Sequence, residues 1–316
     1  MCFNLYNFYI FAIMQKTLLT IIAFLTLSLS AFSQYRIDYG VSLGASNYLG
    51  EIGGGIGERR GGPADMKLDY TRWSAGGFYR YRMSNLFAIK GSLNYIRLTG
   101  SDDQTLNPAR RARNLNFKND MLELDAHLEL YLFKVNDVGG TGRYTSDFNL
   151  YVFSGVGAFY SNPYGQKVSG EWVALRPLQT EGKDYSLINL SIPAGIGFYY
   201  TIHRKYRLGM EVNWRTTFTD YIDDASTKFA NNYDGISNKT SQALLNEINT
   251  ENNTTLKTTN FDKGSKRGDP THNDSYASIT ANFSWAIRGR SNFYKSKHNW
   301  ILGKHKRKRR KSRAKF

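Results

Sequence analysis

The chain has 316 residues and a formal net charge of +16, with 42 Lys or Arg against 26 Asp or Glu. Aromatic residues make up 15%, glycine is abundant at 29, proline is sparse at 6, and mean hydropathy is −0.49. That hydropathy excludes a polytopic helical membrane protein, and the single cysteine, Cys2, excludes a disulfide framework or a thiolate metal site.

The charge is unevenly placed. Arg288 to Phe316 holds thirteen Lys or Arg and no acid, leaving 29 basic against 26 acidic residues elsewhere. A pI near 9.7 would on its face suggest nucleic acid. Here the basic character belongs to one terminal segment, and the rest of the chain is close to neutral.

Residues 1–33 read as an export signal. Lys16 precedes an apolar run, Leu18 to Leu29, and Ala31-Phe32-Ser33 offers small residues where a signal peptidase cuts. Met14 is the more natural initiator, which makes residues 1–13 a candidate over-called start; an uncleaved N-terminal anchor is the competing reading. Removal of residues 1–33 would also remove Cys2, so the exported part would carry no thiol and no lipidated N-terminus.

From residue 34 the informative signal is period-two alternation. The clearest stretch is Leu122, Leu124, Ala126, Leu128, Leu130 and Leu132, with Glu123, Asp125, His127, Glu129 and Tyr131 between them. A helix would scatter those charges around its circumference, whereas a strand puts them on one face. Ile188–Phe198 and Leu208–Phe218 repeat the pattern. Ile37–Ala45, Trp73–Tyr81, Phe87–Tyr95, Leu150–Ala158 and Ala277–Ile287 follow it more weakly. Each is near the roughly 9–11 residues that a tilted membrane strand needs. Eight strands are predicted, with residues 34–288 as the barrel and 289–316 as a basic tail.

The connections alternate in length. Met83-Ser84-Asn85, His203-Arg204-Lys205 and the Asp137–Asp147 link are short or moderate, while 47–71, 98–116, 161–185 and 220–274 are long. A soluble β-sandwich has no reason to keep that order. The sequence therefore predicts an all-β, eight-stranded antiparallel transmembrane barrel of the outer membrane, with long extracellular loops and both termini in the periplasm. Aromatics fall where the interfaces would be: Trp73, Tyr95, Trp214 and Phe218 toward the outside, Tyr81, Phe87, Phe198 and Trp285 toward the periplasm.

Inward-facing Arg80, Lys90, Glu123, Asp125, Glu129, Glu211 and Arg215 mix both signs. An eight-stranded barrel is only wide enough for side chains to fill, so they are expected to pair as a plug and leave no pore. His127 shares a face with Asp125 and Glu129, which suggests a base with an orienting acid. Residues two apart on a strand are about 7 Å apart, so lumen packing is the preferred reading. The other histidines show no ligand spacing.

Gly53-Gly54-Gly55-Ile56-Gly57 resembles a phosphate-cradling loop but no helix pattern follows it, and it reads as a surface loop. Asp220, Asp223 and Asp224 crowd one strand end and suggest a hard cation, without calcium-loop spacing. Asn231–Asp274 reads as a mobile fourth loop, with one short helix over Thr240–Ile248 capped by Thr240 or Ser241. In the tail, Asn299-Trp300-Ile301-Leu302 is a small apolar patch ahead of nine Lys or Arg between Lys304 and Lys315. Trp300, Ile301, Leu302, Lys306, Arg307, Arg309 and Arg310 are the candidate partner-binding residues, an apolar anchor beside steering charges; a merely solvated tail and attraction to anionic lipid head groups are the competing readings.

Four segments carry a family resemblance: Gly44-Ala-Ser-Asn-Tyr-Leu-Gly-Glu-Ile-Gly53, Leu93-Asn-Tyr-Ile-Arg-Leu-Thr-Gly-Ser-Asp102, Arg113-Asn-Leu-Asn-Phe-Lys-Asn-Asp120 and Phe218-Thr-Asp-Tyr-Ile-Asp-Asp224. In combination they resemble the PorG-like outer-membrane β-barrel family associated with the type IX secretion system. The resemblance covers about residues 35–225 and the last strand. It implies a non-enzymatic membrane anchor that associates with a periplasmic ring lipoprotein (PorK-like) and its partner (PorN-like), with no cofactor. The long fourth loop and the basic tail depart from it. Two other classes compete: a surface adhesin acting through the fourth loop, and a barrel enzyme modifying lipid A. The latter should show a lipid-facing Ser/His pair near the outer interface, and the sequence offers none.

Overall fold

The structure, a computed structural model, describes residues 36–53, 66, 68–103, 105, 107–139, 146–167, 169–230, 242–257 and 262–287. The export-signal region, Gly54 to Gly57 and the whole tail, including Trp300 to Arg310, lie outside them. Ten strands form in chain order: β1 Ile37–Leu49, β2 Arg72–Arg82, β3 Phe87–Ser101, β4 Asn116–Val135, β5 Ser146–Tyr160, β6 Pro163–Gln166, β7 Trp172–Ala174, β8 Ile188–Ile202, β9 Tyr206–Thr217 and β10 Ser275–Ile287. Two helices, α1 (Pro108–Arg113) and α2 (Gln242–Asn252), lie in connections.

Eight of the strands close on themselves. The order runs β3-β2-β1-β10-β9-β8-β5-β4, every pair antiparallel, and β3 pairs again with β4. The seam joins the first and last strands, from Ile37 opposite Ile287 to Leu49 opposite Ser275. Closure leaves no edge among the eight. This is a closed eight-stranded antiparallel β-barrel.

The alternation decides which face is which. Outward positions are apolar, with Leu43 63%, Leu124 64% and Val156 69% exposed. Inward positions are polar and buried. This inverts a soluble protein and fits a barrel whose exterior meets hydrocarbon. Trp73, Tyr95, Trp214 and Phe218 stand near the ends that lead into long connections, and Trp73 stacks on Tyr95 at 4.8 Å between ring centroids. Tyr81, Phe87, Phe198 and Trp285 stand near the opposite end, where Trp285 packs against Tyr206.

The short connections share one end of the barrel with the start of β1 and the end of β10. Between β2 and β3, the Ser84 hydroxyl accepts from the amides of Leu86 and Phe87. Between β8 and β9, the turn is the three residues His203 to Lys205, with His203 and Arg204 both in left-handed backbone (φ 51° and 55°) and Ile202 opposite Tyr206. The β4–β5 register slips at Leu132, between Tyr131 and Phe133. Such a bulge re-aims the residues beyond it. Phe133 stays outward, and Lys134 falls opposite Asn149, an inward residue of β5.

At the other end the strands outrun a bilayer. β4 has 20 residues against the roughly 9–11 of a span, and its first part pairs with β3 up to Ser101 opposite Asn116. Where β5 has ended, β6 pairs with β4 and carries β7, a small hairpin that alternation alone does not predict. The α1 turn was likewise unanticipated. Asn107 caps it through its side-chain oxygen, with Pro108 at its first position.

Within the Asn231–Asp274 connection, residues 242–257 and 262–274 are described, and the helix runs over Gln242–Asn252, with Thr240 and Ser241 outside the described residues. The helix carries contacts to the neighbouring connection. Ile248 and Leu244 pack on Ala112 of α1, and Arg111 bridges Glu247 and Glu251.

Candidate functional site

The interior is the first place to look for chemistry. Arg80 on β2 is the hub of its middle layer, buried to 2% exposure. Its Nε donates to Glu129 on β4 at 2.8 Å, Nη1 to Asp38 on β1 at 3.1 Å, and Nη2 to the Tyr151 hydroxyl at 3.1 Å and Glu211 on β9 at 3.4 Å. Lys90 reaches both oxygens of Glu211 at 2.6 Å, and Arg207 pairs with Asp38. One arginine thus ties together strands from around the whole circumference.

A second layer sits nearer the long loops. Arg215 Nε lies 2.6 Å from Glu123 Oε2, while Tyr276 and Ser191 donate to Glu123 Oε1. Asp125 accepts from Ser92 at 2.5 Å and Asn94 at 2.8 Å. The seven charged residues singled out from the sequence therefore fall into two adjoining clusters. Asp38 and Arg207 belong with them and were missed as members. Asp38 was visible as the lone charge in the alternating Ile37–Ala45 stretch, and Arg207 on the polar face of its strand.

His127 lies in the lumen wall, as its packing reading has it. Its Nδ1 lies 3.2 Å from Asp125 Oδ1, although the two are separated by one residue on the same strand. The 7 Å spacing applies to the backbone, whereas the side chains lean together inside a curved wall. The ring stacks on Phe153 at 4.6 Å between centroids and is buried to 3% exposure. Stacking and the Asp125 contact make this histidine part of the packed wall.

Above the lumen, apolar residues close the barrel: Ile96, Leu98, Phe117, Met121 and Phe159 pack with Tyr48, Ile52 and Ile222. Over them lies a cap built from all four long connections. Asp102 accepts from Arg113 and from the amides of Gly53 and Leu115, and Arg113 also donates to the backbone carbonyls of Glu51 and Arg267. Arg267 bridges Asp224 at 2.9 Å and Glu181 at 3.2 Å. Glu181 takes the amides of Ser226 and Thr227, and Asp274 takes the Tyr48 hydroxyl and the Ile222 amide.

The cap also accounts for Asp223 and Asp224, two of the three aspartates read as a possible cation site. Asp223 accepts from the amides of Ile52 and Ala225, and Asp224 from Thr180, Tyr185 and Arg267. These carboxylates are spent on the loops, and no group of three or more His, Cys, Asp or Glu is arranged for a metal among the described residues. Burial pushes the Asp223 carboxyl up to about 6 and raises Asp224 as well, against the pull of Arg267. Burial and the neighbouring Asp224 charge push the Tyr185 phenol up.

A family described as a domain of unknown function (DUF6089) matches residues 15–242. No curated protein matches. Among solved structures, the chain is similar to Ail, the attachment invasion locus protein of Yersinia pestis, at 9% identity and a TM-score of 0.34, covering 80% of this chain and 99% of that one. It is similar to OprG of Pseudomonas aeruginosa at 9% identity and a TM-score of 0.36, covering 81% and 99%. It is also similar to Neisserial surface protein A at 7% identity and a TM-score of 0.35, covering 81% and 98%.

Proposed function

The chain belongs to the DUF6089 family, a domain of unknown function, and from that premise we propose that it is a non-enzymatic outer-membrane barrel anchoring periplasmic parts of the type IX secretion machinery. The observation that carries this reading is the lumen: apolar side chains cover the outside while ion pairs and an apolar lid fill the inside. Such a barrel offers a rigid membrane post and no route through it. Support for a periplasmic role comes from the shared position of the short connections and both barrel ends. Short turns face the periplasm in barrels of this kind. The thirteen basic residues after Ile287 then follow a strand that ends on that side.

Residues 299–315, with Trp300, Ile301 and Leu302 as the anchor and Lys306, Arg307, Arg309 and Arg310 among the steering charges, dock on a ring component of the PorK-like or PorN-like kind. The test is co-purification of ring proteins with the full-length chain and with a chain cut after Gly289. Recovery should fall sharply with the truncated chain, with Trp300→Ala, and with rising salt. Equal recovery from both would remove the tail from the mechanism.

A further inference from the structure

The end of the lumen nearest the short turns is built differently from the rest. Arg82, the last residue of β2, is 5% exposed and has no carboxylate within ion-pair distance among the described residues. One Nη2–H goes to the Asn149 side-chain oxygen at 3.0 Å, the guanidinium lies 4.1 Å from the Tyr131 ring centroid, and Nε meets no acceptor. The nearest acids are engaged elsewhere. Glu129 lies between Arg80 and Tyr131, Asp38 takes Arg80, Arg207 and Ser284, and Asp147 takes the Asp137 amide and faces Lys134 rather than Arg82.

The bulge at Leu132 adds to this. Without it Lys134 would continue the outward, lipid-facing row of even-numbered β4 residues; with it, Lys134 stands opposite Asn149, the residue that Arg82 holds. Lys134 is exposed at the open end. A buried guanidinium with an unused N–H and an ammonium brought to the same mouth are the parts of a carboxylate site.

We propose that the short-turn mouth of the barrel is a receptor for a carboxylate side chain on an acidic segment of a periplasmic protein partner. This deepens the anchoring role and rests on the short turns facing the periplasm. Charge complementarity selects an acidic partner. Lipid head groups are the wrong occupant, because Arg82 is buried inside the wall and Lys134 stands opposite the inward Asn149. Exposed Arg204 and Lys205 on the adjoining turn extend the positive field around the mouth.

A zero-length carbodiimide joins an amine to a carboxylate only where the two touch, so it reads the site directly. The full-length barrel in detergent, treated with hexaglutamate and the carbodiimide, should yield a peptide crosslink at Lys134, located by mass spectrometry. The tail lysines serve as the internal reference. Arg82→Gln keeps the amine but should lower that crosslink at least fivefold, with folding checked by heat-modifiable gel migration. Should Arg82→Gln fail to fold, the exposed Lys134→Gln should weaken hexaglutamate binding at least threefold relative to Lys263→Gln, which removes the same charge at the opposite, long-loop end. Crosslinks confined to the tail and Lys263, or equal effects of the two lysine variants, would overturn the receptor. Displacement by inorganic phosphate at concentrations below those of hexaglutamate would assign the site to a phosphate and overturn the protein partner. Because only barrel and peptide are present, failure here leaves the ring co-purification result standing, and the reverse also holds.

Discussion

Arg113 and Asp102 meet as a buried fork, Nε to Oδ2 at 2.8 Å and Nη2 to Oδ1 at 3.1 Å, and each also holds backbone from other loops. Removing one partner of such a pair strands the other charge, at a cost of about 3–5 kcal/mol. The pair lies in the connections, so the loss should fall on the cap and spare the barrel. Asp102→Leu is expected to raise protease cleavage within 220–274 at least tenfold while heat-modifiable migration stays unchanged. Unaltered proteolysis would show that the four loops do not depend on this pair.

Arg80 carries the opposite expectation. Arg80→Met leaves Asp38, Glu129 and Glu211 with a shared loss of counter-charge inside the wall. Global stability of the barrel in micelles should drop by about 3–5 kcal/mol, read as a lower urea midpoint. A midpoint equal to wild type would mean that the network repacks around an apolar side chain.

The filled interior predicts electrical silence. Purified barrel in a planar bilayer should give no stable single-channel steps at moderate voltage. Reproducible large steps would show that the Arg80 and Glu123 layers part to admit ions.

Acidity should tighten the cap. Burial keeps Asp223 protonated up to about pH 6, whereas its unshifted value is 3.8. Between those values the folded cap binds a proton that the unfolded loops release, so the cap loses stability as pH rises through the window and gains it as pH falls. Asp224 acts in the same sense, and the facing groups Tyr48, Asp274, Arg113 and Arg267 modulate both. Amide exchange in the cap, corrected for intrinsic rates, should be slower at pH 5 than at pH 7.5, and Asp223→Asn should reduce the difference. Faster exchange at pH 5 in the wild type would reverse the assignment.

Lipid A should be untouched. The His127–Asp125 pair is sealed in the wall, away from the outer surface where an acyl chain would lie. Mass spectra of lipid A from deletion and wild-type cells should coincide. A gained or lost acyl chain would restore the enzyme reading.

The barrel was legible because a membrane wall imposes period two on every strand, and Leu122–Leu132 displays it with charges in most of the gaps. Arg80, Lys90, Glu123, Asp125, Glu129, Glu211 and Arg215 could be placed inside on that basis alone. Their partners could not, since pairing depends on stagger between strands and alternation leaves stagger open. The cap was invisible for a related reason. Arg113 and Arg267 act on backbone and carboxylates from distant loops, and nothing in the Asn- and Thr-rich composition of 231–274 distinguishes a docked loop from a loose one. Lys134 was hidden by the bulge at Leu132, which breaks the period that would have sent it outward.

The seam between β1 and β10 sets the order in which this wall can come into being. Ile37 must find Ile287, and every rung of that ladder joins opposite ends of the barrel chain. Contacts so remote in sequence are the slowest to form. Until the last strand arrives, β1 presents an unpaired edge beside hydrophobic positions such as Val41 and Leu43, the kind of surface that recruits another chain. Assembly is therefore gated by the C-terminal strand, and a chain shortened into β10 should accumulate as an escorted or aggregated species rather than as a smaller barrel.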